Sequence, residues 1–135
     1  MDTIAYPGKH SEAEIQAQLW YFLRKRKIDA RLEVPVISST SGRRTWRLDI
    51  VIFNKDEEPI CIVECKSWSD GYSRNAIYRT NNTKQIKKYK ASFGLPVLVC
   101  ARWNFIERTI EIIEHIIKYG TIPHNGKAII KDDSF

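Results

Sequence analysis

Arg47–Ser67 reads RLDIVIFNKDEEPICIVECKS, and the rest of the chain is organised around it. Two apolar runs, Ile50–Phe53 and Ile60–Val63, flank a polar segment, Asn54–Pro59. Ile and Val dominate both runs, which predicts strands rather than helix. Asn54, Asp56 and Pro59 supply turn chemistry between them. Two strands joined by a short polar loop form an antiparallel hairpin. With the loop centred between Asp56 and Glu57, Asp49 lies opposite Glu64. Side chains alternate along a strand, so Glu64 and Lys66 share a face while Cys65 points to the other.

Three charged groups, Asp49, Glu64 and Lys66, therefore converge at one end of the hairpin. Each sits on or beside an apolar strand, where an ionised group is costly unless something pairs with it. A divalent cation held by two carboxylates, with a lysine ammonium beside it, answers that cost. Oxygen-only ligation by Asp and Glu suits a hard ion such as Mg²⁺ or Mn²⁺. The bland alternative is a structural ion pair in which Lys66 neutralises one carboxylate. An Asp at the register-matched position raises the cation reading to equal weight with it.

At 135 residues the chain is expected to form a single domain, residues 1–135. A formal net charge of +6 and a pI near 9.3 favour a polyanionic partner, nucleic acid before an anionic membrane. No stretch approaches the roughly 18 apolar residues that span a bilayer, and no N-terminal run resembles a signal peptide. Cys61, Cys65 and Cys100 lie in or beside apolar runs without CxxC spacing. They read as buried reduced thiols in a cytoplasmic protein, not as a zinc site or disulfide framework.

Met1–His10 reads as an irregular lead-in. Ser11 fits a helix N-cap, and Glu14 completes a capping-box pattern. Ile15, Leu19, Phe22 and Leu23 make the expected buried stripe. Helical spacing places Glu12 and Gln16 on one side. If this helix packs on the hairpin, Glu12 can point at the Asp49–Glu64 end, although a first-turn acid also simply favours the helix dipole. Glu14 has the capping box to serve, which makes Glu12 the better functional candidate. Arg31–Ser38 reads as an edge strand, since Pro35 cannot donate in a central ladder.

The segment Ser39–Arg47 is expected to be a loop or hairpin tip. Arg43, Arg44 and Arg47 there suit phosphate contact, and Trp46 either stacks on bases or tucks into the core. After Lys66 comes a polar stretch rich in bases and aromatics. Arg74, Arg79, Lys84, Lys87 and Lys88, interleaved with Trp68, Tyr72, Tyr78 and Tyr89, read as a nucleic-acid backbone contact or a solvated helix face. A helix is expected over Thr83–Phe93, ended at Gly94. Leu95–Cys100 reads as a strand that returns to the same sheet by a crossover. Phe105–Tyr119 reads as a helix with Ile106, Ile110, Ile113 and Ile117 inward, stopped by Gly120 and Pro123. His115 reads as a boundary side chain in it, and Ala128–Lys131 as a short strand.

Helix with Glu12, edge strand, strand with Asp49, strand with Glu64-Cys65-Lys66, helix with Gln85, strand: this order resembles the PD-(D/E)xK nuclease superfamily. SEAEIQAQLWYFLRKRKI (Ser11–Ile28) looks like the first helix of virus-type replication-repair nuclease domains and archaeal Holliday-junction resolvases. RLDIVIFNKDEEPICIVECKS also looks like the nuclease portion of type I restriction subunits. The resemblance covers roughly Ser11 to Cys100. It implies an α/β, restriction-endonuclease-like core, a central mixed sheet flanked by helices. It implies Asp49 and Glu64 as metal ligands, Lys66 as the group that orients or activates the attacking water, and Glu12 as a supporting carboxylate. Gln85 stands where many members carry a Gln followed four residues later by Tyr, here Tyr89. The Pro that precedes the Asp in the family pattern is replaced by Leu48. Which of Glu12 and Glu14 faces the metal stays open.

The function this implies is Mg²⁺- or Mn²⁺-dependent hydrolysis of DNA phosphodiesters, leaving 5′-phosphate and 3′-hydroxyl ends. Relatives on this core serve restriction, repair and recombination. A chain this small either forms a homodimer, selects DNA by shape, or serves a larger nucleic-acid-processing complex. The rival readings are a catalytically inactive nucleic-acid-binding module on the same fold and a small interaction protein with ion-paired strand ends.

Overall fold

Ser11 opens the first helix by the reciprocal bonding that its sequence spacing requires. Its hydroxyl accepts from the Glu14 amide at 3.2 Å, and the Glu14 carboxylate accepts from the Ser11 amide at 3.1 Å. In the computed structural model, which describes residues 2–6, 8–67, 88, 89 and 91–123, this helix, α1, spans Glu12–Lys25. Ile15, Leu19 and Leu23 form its buried stripe. Phe22, expected with them, is 36% exposed, because a stripe at i, i+4 and i+8 leaves the intervening residue on its shoulder. Replacing Ser11 with Ala is expected to lower stability by about 1 kcal/mol in urea titration, while Ser11→Asp, which still accepts from the third helical amide, keeps most of it.

Three strands follow: β1 (Asp29–Ile37), β2 (Arg44–Phe53) and β3 (Pro59–Cys65). With a fourth, β4 (Val97–Cys100), the described strands form a four-stranded sheet in the order β1-β2-β3-β4. The first two pairings are antiparallel and β3·β4 is parallel, so the sheet is mixed. A 3₁₀ turn, Trp103–Phe105, leads into the helix α2 (Ile106–Tyr119). Both helices pack on β3 and touch each other, so they flank the sheet side by side. The result is an α/β fold.

The hairpin register is the expected one through its core: Ile50 pairs with Val63, Val51 with Ile62 and Ile52 with Cys61. It shifts at Phe53, which pairs with Pro59. The loop follows from Asn54, whose side-chain oxygen accepts from the amides of Asp56 and Glu58, both at 2.9 Å. Glu57 takes the left-handed region there, φ 62. Pro35 does lie on an edge strand among the described residues, where β1 pairs with β2 alone.

Two further expectations are corrected. The loop before Asp49 is shorter than Ser39–Arg47: β2 begins at Arg44, so Arg44, Trp46 and Arg47 are strand residues. In α2 the inward residues include Ile106, Ile110, Ile113 and Ile116, while Ile117 is 47% exposed. Thr109, Ile112 and Ile116 are buried as well, so the buried arc is centred to the Ile116 side of Ile113 and leaves Ile117 near its edge in the last turn. Gly120 ends α2 in the left-handed region, φ 78, where its amide closes on Ile116. His115 is half-buried, its Nδ1–H donating to the Thr121 carbonyl at 3.0 Å, the boundary position expected.

All of Cys61, Cys65 and Cys100 are buried free thiols. Burial pushes the Cys61 thiol up to about 12 and the Cys100 thiol up to about 11, which leaves them unreactive. Residues 88, 89 and 91–93 are helical up to Gly94, φ 65. The rest of the helix expected over Thr83–Phe93, with Gln85, Lys84 and Lys87, lies outside the described residues. So do Trp68, Tyr72, Arg74, Tyr78, Arg79 and the strand expected over Ala128–Lys131.

Candidate metal and nucleic-acid site at the end of the hairpin

Asp49 and Glu64 meet where the β2·β3 ladder stops. The last backbone pair toward this end is Ile50 with Val63. Beyond it the Asp49 side chain takes over: its Oδ2 accepts from the Cys65 amide at 2.7 Å. This short, charge-assisted bond ties the carboxylate of one strand to the main chain of the other.

Glu64 is 4% exposed, one of two buried polar or charged residues among those described. Its Oε1 is shut off from solvent and has no hydrogen-bond partner among the described residues. Burial pushes the Glu64 carboxyl up to about 8, and the neighbouring Asp49 carboxylate pushes the same way. The Lys66 ammonium pulls in the opposite direction with less effect. Lys66 itself is half-buried, and its amide donates to the Cys100 carbonyl at 3.0 Å, which fixes the strand end against β4.

Glu12 is exposed on the first turn of α1. Its charge, with those of Asp49 and Glu64, acts on the buried Cys65 thiol and helps to raise it, which puts Glu12 on the site's side of the molecule. Glu14 is engaged in the capping box instead. Among the described residues, however, no group of three or more Asp, Glu, His or Cys side chains gathers closely enough to hold a metal. The described donors are thus two carboxylates, one carrying an orphaned buried oxygen. That set fits a Mg²⁺-like ion, which keeps several waters and takes one or two carboxylates plus phosphate oxygens.

Two contacts were not foreseen. Gln16, one turn after Glu12, donates to the main-chain carbonyl of Asp49 at 2.9 Å and to Glu33 Oε1 at 3.0 Å. Helical spacing put Gln16 on the right side but could not show which strand it reaches. Before α1, the chain is fastened to the end of β3: Ser67 Oγ donates to the His10 carbonyl at 2.6 Å, and Lys9 Nζ reaches the Ser67 carbonyl at 3.5 Å. His10 in turn stacks on Trp103, with centroids 3.7 Å apart.

Arg43, Arg44 and Arg47 are all exposed. Arg47 lies two residues before Asp49, so it shares that face of β2, roughly 7 Å along the strand. The alternative left open for Trp46 resolves toward packing. Its half-buried ring stacks on Tyr89 at 4.8 Å and meets Phe93 at 5.9 Å. Lys88 Nζ sits 4.9 Å over the Trp46 ring, so this exposed cation is held beside the arginine row. A cleft of about 940 Å³ opens at the far end of the hairpin, around Phe53, Pro59 and Leu95, away from the carboxylate pair.

The family model for the N terminus of the type I restriction enzyme R protein matches residues 11–102. That stretch runs from the N-cap of α1 to the residue that caps the 3₁₀ turn after β4, and it holds Glu12, Asp49, Glu64 and Lys66. No match was found among curated proteins.

Proposed function

The chain belongs to the family of type I restriction enzyme R protein N termini, and from that premise and the Asp49–Glu64 pair we propose a metal-dependent DNA endonuclease of the PD-(D/E)xK kind that serves a larger restriction assembly. The observation that carries this reading is Glu64: a carboxyl shut away from solvent beside a second carboxylate, with one oxygen unpartnered among the described residues. A fold has no reason to keep such a group for stability alone, since an apolar residue would fill the space without the desolvation cost.

Asp49 and Glu64 would hold Mg²⁺ or Mn²⁺, with Glu12 supporting the site through its charge. When bound, such a cation supplies Lewis acidity at a phosphoryl oxygen and a water of lowered pKa. Lys66 donates to the attacking water or the scissile phosphate, as a compact charge at the end of β3. Arg43, Arg44, Arg47 and Lys88 hold the DNA backbone in register with the carboxylates; Arg74, Arg79, Lys84 and Lys87, outside the described residues, are further candidates for phosphate contact by their charge. Gln85, outside the described residues, would have the supporting role that the resemblance to the nuclease superfamily implies. The products carry 5′-phosphate and 3′-hydroxyl ends.

The test is cleavage of linear, supercoiled and branched DNA in Mg²⁺, Mn²⁺ or EDTA, wild type beside Lys66→Ala. Cutting should need the metal, and Lys66→Ala should cut about 100-fold more slowly while still binding DNA. Salt-sensitive DNA binding with no cutting in any metal would instead identify a binding module that keeps the fold without the chemistry.

A further inference from the structure

The strand opposite Asp49 is irregular at Glu33, apart from the register shift after Val36. In β1·β2, Leu32 pairs with Ile50 and Val34 with Leu48. Between those pairs stand Glu33 and Asp49, and Glu33 adopts φ 50, the left-handed region that a non-glycine residue enters at a cost. Here the surrounding contacts account for the conformation. Gln16 reaches in from α1 and donates to the Glu33 carboxylate and to the Asp49 carbonyl.

Both partners of Gln16 are pure acceptors, a carboxylate oxygen and a main-chain carbonyl. A side-chain amide carries two N–H donors on one nitrogen. Each bond therefore uses one of them, and the amide can face only one way. Glu33 thus orients the amide, and the amide fixes the main chain of Asp49. The other end of Asp49 is fixed by the Cys65 amide at Oδ2. The residue is clamped at its backbone from the helix side and at its side chain from β3.

We propose that Gln16, oriented by Glu33, is a positioning residue for the metal-binding carboxylate of Asp49. The proposal rests on the nuclease reading above. Outer partners of this type commonly govern metal affinity by about tenfold to a hundredfold without touching the ion. Gln16→Met keeps length and packing but removes both donors. Glu33→Gln keeps an acceptor oxygen for the amide, and Glu33→Ala removes it from an exposed position.

The experiment measures Mn²⁺ affinity by calorimetry on the whole chain, well below its unfolding temperature, with kcat and KM on linear DNA alongside. Wild type should bind Mn²⁺. Gln16→Met should bind it about tenfold more weakly or worse, with the loss in kcat and an unchanged KM for DNA. Glu33→Ala should fall in between, and Glu33→Gln should stay close to wild type. A Gln16→Met protein that unfolds more easily but keeps its Mn²⁺ affinity would overturn the proposal and leave Gln16 a packing residue. Should Gln16→Met fail to fold, an unchanged affinity in Glu33→Ala decides against it. Wild type that neither binds Mn²⁺ nor cuts DNA removes the nuclease reading itself, and this inference with it.

Discussion

Glu64→Gln is expected to abolish DNA cleavage and, in the metal-free protein at pH 8, to raise the unfolding temperature. The two effects have one cause. In the folded chain the Glu64 carboxyl is pushed from 4.5 up to about 8 by burial and by Asp49. The unfolded chain releases that proton near the ordinary glutamate value. Between those two pH values the unfolded state binds fewer protons than the folded state, so stability falls as pH rises. The contribution is whole below about 4.5 and lost as the pH passes through about 8. An amide carries no charge to bury, so Glu64→Gln escapes this loss. Its unfolding temperature should match wild type near pH 4.5 and exceed it by about 5 °C or more at pH 8. Mn²⁺ should raise the wild-type value more at pH 8 than at pH 5, since the cation replaces the proton, and should leave the variant unmoved. Cleavage should drop at least about a thousandfold. A wild type whose stability is flat from pH 4.5 to 8 would mean that Glu64 is not held protonated.

Asp49→Ala and Asp49→Asn are expected to be equally inactive and unequally stable. Under the proposed mechanism both remove a metal ligand, so each should cut DNA at least about a thousandfold more slowly. Only alanine also removes the acceptor of the Cys65 amide, which is bonded at 2.7 Å in the wild type. Leaving that part-buried N–H unpaired costs about 1–3 kcal/mol. Asparagine keeps an oxygen in the same place. Urea titration at pH 5, where Glu64 is protonated and the loss of its neighbour's charge matters least, should show the alanine variant weaker by that amount and the asparagine variant close to wild type. Equal stability of the two would remove the structural role assigned to Asp49.

The hairpin was readable because its signals are local. Ile/Val runs, Asn54 as turn-former and loop symmetry were enough to pair Ile50 with Val63, and from there to bring Asp49 beside Glu64. Ser11 and Glu14 fixed the start of α1 for the same reason: the capping box closes within one turn. What escaped depends on partners distant in sequence. Gln16 and Asp49 are bonded across 33 positions, and nothing in either segment names the other. The left-handed Glu33 carries no glycine or asparagine to announce it. Ile116 and Ile117 differ only in which one the sheet lies under. Trp46 was equally suited to a base or to Tyr89 until the helix carrying Tyr89 was seen to lie across it.

The outer strand β1 bears on how copies of this chain can meet. An exposed sheet edge invites another chain to add a strand along it. Here the edge carries Pro35, which offers no amide, and Glu33, whose left-handed backbone breaks the regular repeat of donors and acceptors. Two interruptions within a nine-residue strand leave only the short run Asp29–Leu32 regular for a foreign strand to follow. The same Glu33 that anchors the Gln16 amide therefore also guards the molecule against stacking edge to edge. A partner that approaches from this side past Leu32 meets an interrupted backbone and is recognised chiefly through side chains.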